Sequence, residues 1–358
     1  VQKAVDDVRA EGADYVYLIA HLGNEAVSHP WNYVDVISNT EGIDVVLDGH
    51  SHDTEQIVMK NKAGKDVVRS AVGTKLNTIG YSNITDAGIV KTDIISWNAP
   101  EPASQVFGYD NDISELVSSK LAGVNEKLSV VLGESKVDLT INDPVEKDLN
   151  GKPLRMVRMG ETNMGDFVAD AIRDQLGADI GMINGGGVRG NIARGKITNG
   201  SFFNVTPNGG GLCTIKAKGQ SIVDALEFGA HIVPEEFGGI IQVSGMSYEI
   251  HTYIDDPCII DENGYLTGIK GERRVKNVMV GDEPIDLDKE YLVAGATYVL
   301  IQNGDGQTAF DDAELVEQPD LIDFQCTVDY VSKTLGGTIG EEYEDPYGQG
   351  RIKIVDSK

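Results

Sequence analysis

The stretch IDVVLDGHSH (43–52) decides the fold: an apolar run of strand length stops at an aspartate, a glycine and two histidines. Apolar runs without alternation mark strands buried on both faces of a largely parallel sheet. The pattern recurs upstream, where the helical stretch VQKAVDDVRAEGAD (1–14) leads into YVYLIA (15–20), which stops at His21-Leu22-Gly23. Open α/β sheets bind ligands at the C-terminal ends of their strands. His21, His50 and His52 therefore read as rigidly held imidazole donors for a divalent metal such as Zn or Mn. In an extended segment the His50 and His52 rings would share one face. A single strand-end histidine is more simply a hydrogen-bonding residue; the repeat of the pattern favours ligation.

Composition narrows the function classes. Against 57 Asp and Glu stand 30 Lys and Arg, a net charge of −27, and such a surface repels a nucleic-acid polymer. A small anion remains compatible, because a few arginines set the field inside a cleft. No apolar run approaches the roughly 18–20 residues of a membrane span. Cys213, Cys258 and Cys326 are too dispersed for a metal knuckle or a disulfide framework. The chain opens on Val1 inside a helical pattern with no initiator Met or leader, so an upstream part is expected.

Short alternating strands follow over 56–97, and the Pro-rich NAPEPASQVFGYD (98–110) reads as a boundary. Ile113, Leu116, Val117, Leu121, Val124 and Leu128 recur at helical spacing and predict one exposed amphipathic linker helix. A second domain then carries a helix over about 163–176 with Asn163 as N-cap and Gly177 as stop. The strand ADIGMIN (178–184) breaks into Gly185-Gly186-Gly187, a helix covers about 219–229, and strands are expected at 239–244, 247–254 and 291–300. The last leads into Asn303-Gly304-Asp305-Gly306. Arg189 follows the glycines at a strand end, where bare backbone approaches a ligand and a guanidinium forks onto phosphate or carboxylate. Gly190 to Lys196 fits the phosphate-loop spacing, but Ile197 stands where a Ser or Thr is required and no helix is expected to open there. His29, His231 and His251 are isolated and read as structural.

HLG (21–23) and DGHSH (48–52) resemble the last metal-ligand blocks of the calcineurin-like metallophosphoesterases. ETNMGDFVADAI (161–172), INGGGVRGNIARGKIT (183–198), GQSIVDALEFG (219–229), QVSGM (242–246) and NGDGQTAF (303–310) resemble the C-terminal domain of the 5'-nucleotidase family. The resemblance implies an α/β and α+β chain. Residues 1–98 would be the C-terminal part of a metallophosphoesterase α/β sandwich, 99–129 a linker helix, and 130–358 the 5'-nucleotidase C-terminal, substrate-binding domain. It further implies hydrolysis of nucleotide phosphate esters outside the cytoplasm with two divalent metal ions, His52 on the first and His21 with His50 on the second. Substrate would be held by Arg158, Asn184, Gly186, Gly187, Arg189 and Asp305, the aspartate accepting from ribose hydroxyls.

Two features depart from the family. Its earlier Asp-x-His, Gly-Asp and Asn-His-Glu blocks, which carry the bridging aspartate and the transition-state histidine, precede the His-Leu-Gly block in the family and would all lie upstream of Val1, so the chain alone is expected to be inactive. The two base-clamping aromatic positions are Asn208 and Val299, with Tyr298 one residue away as a substitute. Recognition should then favour phosphate and sugar over base. The alternatives are a non-catalytic nucleotide- or anion-binding module, or a 2',3'-cyclic-nucleotide phosphodiesterase/3'-nucleotidase of the same family.

Overall fold

The computed structural model describes residues 1–24, 28–74, 76–88, 90–96, 110–147 and 151–357. The mixed α/β chain separates into two compact units, Val1–Val117 and Ser118–Lys358. The division falls inside the helix Asn111–Leu128, whose apolar stripe is half-exposed throughout. The boundary expected over 98–110 lies, but for Asp110, outside the described residues.

In the first unit a four-stranded sheet runs in the order Tyr17–Ile19, Val45–Asp48, Asp66–Val72, Thr54–Lys60. The first two neighbouring pairs are parallel and the last is antiparallel. Period-two alternation sends Val46 and Asp48 to one face and Val45 and Leu47 to the other. Val46 and Val67 meet Val5 and Ile37, from the helices Gln2–Ala10 and Tyr33–Asn39, in a small core. The second helix begins where the Asn32 side chain accepts from the Asp35 amide. The expectation of a fully buried run at 15–20 is corrected: only Tyr17–Ile19 is strand, and Ile19 is 83% exposed. Among the described residues this strand pairs on one side only, so its other edge is unpaired.

The second unit is built on a five-stranded mixed sheet ordered Ile241–Ser244, Ile180–Asn184, Glu290–Ala296, Leu212–Lys218, Glu314–Glu317. Every residue of Ile180–Asn184 is buried, as its unbroken apolar pattern requires. Ile180 and Met182 join one core with Ile215 and Leu226; Ile183 joins another with Phe167 and Leu212. The helices Asn163–Leu176 and Gly219–Gly229 contribute Phe167 and Leu226 to these two cores. A second sheet, in the order Glu283–Pro284, Val275–Val280, Met246–His251, Ile352–Val355, brings the chain's last strand parallel to Met246–His251.

Three local expectations are corrected. Thr162, not Asn163, caps the helix, its hydroxyl accepting from the Gly165 amide at 3.1 Å. Asn163 is instead consumed by long-range bonds: it accepts from Thr140 N and donates to the Asp138 and Tyr343 carbonyls. The strand expected over 291–300 ends at Ala296, where its ladder with Leu212 stops, and Thr297–Leu300 turns helical. A short helix, Asn199–Phe203, does open after Lys196, because Thr198 and Ser201 form a reciprocal capping box. Lys196 itself lies in the strand Gly195–Thr198, paired with Val131–Ser135, so the segment is a ladder strand rather than a phosphate loop.

The Thr162 cap gives a direct test. Thr162→Ala removes a fully buried acceptor from a helix start and is expected to cost about 1–2 kcal/mol. Urea unfolding followed by far-UV circular dichroism would show it as a lower midpoint at unchanged slope.

Candidate functional site

In the second unit the ends of two neighbouring strands, Ile180–Asn184 and Glu290–Ala296, and the turns that follow them bring together a cluster of polar side chains. The first strand ends at Asn184, and Gly185–Gly187 forms a single tight 3-10 turn. These glycines are required by close approach: a Cβ at Gly185 would lie 2.2 Å from the Val157 carbonyl, and one at Gly187 2.9 Å from Asn184 Oδ1. At Gly186 it would meet Gly238 Cα at 3.2 Å. Arg189 is exposed, its Nε donating to the Gly186 carbonyl at 2.9 Å while its backbone amide is fixed by Val205 O. The guanidinium is thus anchored at one nitrogen with the terminal pair left for other acceptors.

Asn303 and Asp305 both sit in the left-handed region, at φ 54° and 55°. Asn184 Nδ2 donates to Asp305 Oδ2 at 3.1 Å. The Tyr298 hydroxyl donates to Asp305 Oδ1 and accepts from the Asp305 amide, each at 3.0 Å. Tyr298 reaches this place because the chain has become helical at 297–300; in a continued strand it would have faced away. Its ring covers Gly304, where a Cβ would come within 2.3 Å. Val299 turns into the core and Asn208 is exposed.

Arg158 completes the cluster. Its carbonyl accepts from the Phe237 amide at 2.9 Å, and a Cβ at Gly238 would sit 3.8 Å from both Asp305 carboxylate oxygens. Burial, and then the Arg155 and Arg189 guanidiniums, hold Arg158 below the usual arginine range. Glu236 and Asp305 oppose that effect. Gathered cations that destabilise one another define a place where a small anion is favoured, in a chain whose net charge is −27. Burial also pushes Tyr298 up to about 12, with the Asp305 charge next in weight.

Two participants were not singled out from sequence. Glu236 takes Arg155 in a salt bridge of 2.5 Å, and Phe237 packs edge-on against His231 at 4.7 Å between ring centres. Nothing in the string PEEF announces either role. His231 stacks on Phe228 and uses Nδ1 on its carbonyl, while His251 lies between Glu249 and Tyr253.

In the first unit, the two histidine-bearing turns meet at the ends of neighbouring strands. The His21 and His50 rings lie edge to face with centroids 5.1 Å apart. Gly49 and Gly23 make this closure possible. A Cβ at Gly49 would lie 3.0 Å from His21 Nδ1, and one at Gly23 would meet Ser51 Oγ at 2.6 Å and His50 Cδ2 at 2.8 Å. The extended geometry expected for His50–His52 is corrected: both residues have positive φ, 81° and 57°, because the chain must turn sharply between Asp48 and Asp53. A shared strand face therefore does not relate them. Two adjacent imidazoles fit part of a divalent-metal donor set. Among the described residues, however, no three His, Cys, Asp or Glu side chains gather as they would around a metal ion.

Beneath these turns lies a fully buried arginine that the sequence hides inside the strand Asp66–Val72. Arg69 Nε donates to Asp48 Oδ2 at 2.9 Å, and Nη1 and Nη2 donate to the two Asp53 oxygens at 2.6 and 3.2 Å. Glu55 accepts from Nη1 at 3.0 Å, and the guanidinium lies 4.2 Å from the centre of the Tyr33 ring. The other Asp48 oxygen accepts from the Leu22 amide at 2.7 Å.

Residues 131–312 match the family described as "5'-nucleotidase, C-terminal domain", and the chain belongs to that family. It is 25% identical over 367 residues to the trifunctional nucleotide phosphoesterase protein YfkN of Bacillus subtilis, across 96% of this chain and 22% of that protein. It is 24% identical to a 5'-nucleotidase of Vibrio parahaemolyticus, across 90% of this chain and 59% of that one. The crystal structure of a 5'-nucleotidase precursor from Thermus thermophilus superposes with a TM-score of 0.64 at 25% identity, covering all of this chain and 67% of that chain. The chain thus spans between a fifth and three fifths of the curated relatives named here.

Proposed function

We propose that the protein acts in hydrolysis of nucleotide phosphate esters and that its second unit is the nucleotide-recognition module. The observation that carries this reading is the convergence of Arg158 and Arg189 with the Asn184–Asp305–Tyr298 network on one strand end. Guanidiniums suit phosphate, and a carboxylate already oriented by two donors suits the vicinal hydroxyls of a ribose. His21 and His50 of the first unit are proposed as ligands of a divalent ion, Zn or Mn; the assignment of His52 and of a second ion rests on family resemblance alone. So does an extracellular, periplasmic or cell-surface location. Among the described residues no helix is long and apolar enough to cross a membrane.

Binding should be broad across bases. Asn208 and Val299 offer no ring to stack on, and each base–aromatic stack is worth about 1–3 kcal/mol by analogy with single-stranded nucleic-acid binding. Calorimetric titration of the chain with AMP, UMP, ribose 5-phosphate and inorganic phosphate tests this. Expected are AMP and UMP affinities within about tenfold of each other and both well above phosphate. Absence of nucleotide binding would end the reading, and a preference for AMP beyond about a hundredfold would show base-specific recognition.

A further inference from the structure

The turn that carries His50 and His52 is costly on its own terms. Two non-glycine residues at positive φ within three positions cost on the order of 1–3 kcal/mol each, and such conformations persist only where their surroundings dictate them. Below the turn, Arg69 and the Asp48 side chain are both shut off from solvent. A buried ion pair of this kind gives little net stability compared with well-packed apolar residues, so its presence is weakly explained by folding alone. Its placement is specific. Asp48 is the residue before the Gly49–His52 turn and Asp53 the residue after it, and the planar fork of one arginine takes both carboxylates. Asp48 also reaches across to the Leu22 amide, next to His21, and Ser51 Oγ accepts from the Asn24 amide at 2.8 Å. One guanidinium therefore ties the two ends of one histidine turn to each other and, through Asp48, to the second.

We propose that Arg69 is a positioning residue: by clasping Asp48 and Asp53 it holds the Gly49–His52 turn closed against His21 and so sets the His21–His50 pair for a divalent ion. The proposal rests on reading those two histidines as metal ligands. The cluster also leaves an electrostatic surplus. Asp48, Asp53 and Glu55 surround a single arginine, so the floor of the turn keeps excess negative charge that favours a cation above it. Tyr33 and the clasped carboxylates enclose the guanidinium, which explains why a lysine, with no fork and no flat face, would not serve.

The test uses the whole chain as wild type, Asp53→Asn and Arg69→Lys, both of which leave the buried Asp48 opposite a cation. Mn²⁺ is titrated in while NMR follows paramagnetic broadening of the His21 and His50 ring protons, and amide hydrogen exchange is measured separately without metal. The expected result is a broadening midpoint at least tenfold higher in both variants. Exchange at Leu22 and Asn24 should be at least tenfold faster, with protection across Asp66–Val72 unchanged. Midpoints and exchange within twofold of wild type would overturn the clasp, as would loss of protection throughout Asp66–Val72, the mark of a merely structural arginine. If Mn²⁺ leaves the wild-type rings sharp, the metal reading fails, and the exchange rates alone decide whether the turn is held by Arg69.

Discussion

Arg189→Ala is expected to weaken nucleotide monophosphate binding by about ten- to a hundredfold while leaving the fold intact. The backbone around Arg189 is secured independently of its side chain: the amide bonds to Val205 O, and the glycine turn is packed against Val157 and Gly238. The side chain is exposed and makes one hydrogen bond to Gly186 O, so little folding energy is lost. A charge-assisted hydrogen bond contributes about 1.5–3 kcal/mol, and the guanidinium offers two further nitrogens to an incoming phosphate. Arg189→Lys keeps the charge and loses the fork, and should fall between the two. Arg158→Ala differs in a measurable way, because it also removes a half-buried cation held near Arg155 and Arg189. Its loss in affinity should come with equal or higher thermal stability. The check is calorimetric titration of AMP at fixed low salt, alongside thermal unfolding of each variant. Retention of wild-type affinity in Arg189→Ala would remove this arginine from the site.

The physical reason these residues were legible is that their signals are local. The unbroken apolar run before Asn184 forces a buried strand, and the glycine triplet leaves a backbone that other chain segments can approach within 3 Å. Asp305 stands between two glycines in a string of turn composition, Asn303-Gly304-Asp305-Gly306, and its φ of 55° fits such a turn. Signals made by distant partners were not legible. Asn163 has the composition of a cap, but bonds to Asp138, Thr140 and Tyr343 outcompete that role and leave capping to Thr162. Tyr298 changes face because the strand loses its partner at Ala296, a fact of register and not of composition. Arg69 interrupts VVRSAV (67–72) as an apparent mistake, and only the sheet order brings Asp48 and Asp53 to it. The left-handed His50 and His52 follow from that same closure, so the face-sharing inferred from an extended chain did not survive it.

A second large effect is expected at the carboxylate cluster that fastens the last strand. Glu161 accepts from the amides of Gln349 and Ile352 at 2.5 and 2.6 Å, and Arg351 pairs with both oxygens of Asp170 at 2.8 Å. Asp166 is fully buried among them; one oxygen accepts from Gln349 N at 3.0 Å, and the other has no hydrogen-bond partner. Burial, reinforced by Glu161 and Asp170, pushes the Asp166 carboxyl up to about 9 against the pull of Arg351. The native state therefore keeps a proton that the unfolded chain gives up in the ordinary carboxylate range. Between that range and about pH 9 the native state binds the extra proton, so this group makes stability fall as pH rises. Asp166→Asn makes the neutral state permanent. Its amide nitrogen can face Glu161, and Gln349 N keeps its shorter bond to Glu161 Oε1. The variant should gain roughly 1–3 kcal/mol at pH 8, little at pH 5, and show a flatter stability profile between them. Arg351→Met works in the opposite sense. It strands Asp170 beside Asp166 without a cation and should cost about 3–5 kcal/mol at pH 8. Urea unfolding of the three proteins at pH 5, 6.5 and 8 separates these outcomes. An Asp166→Asn protein no more stable than wild type at pH 8 would mean that Asp166 is ionised in the native state and that Arg351, not burial, governs it.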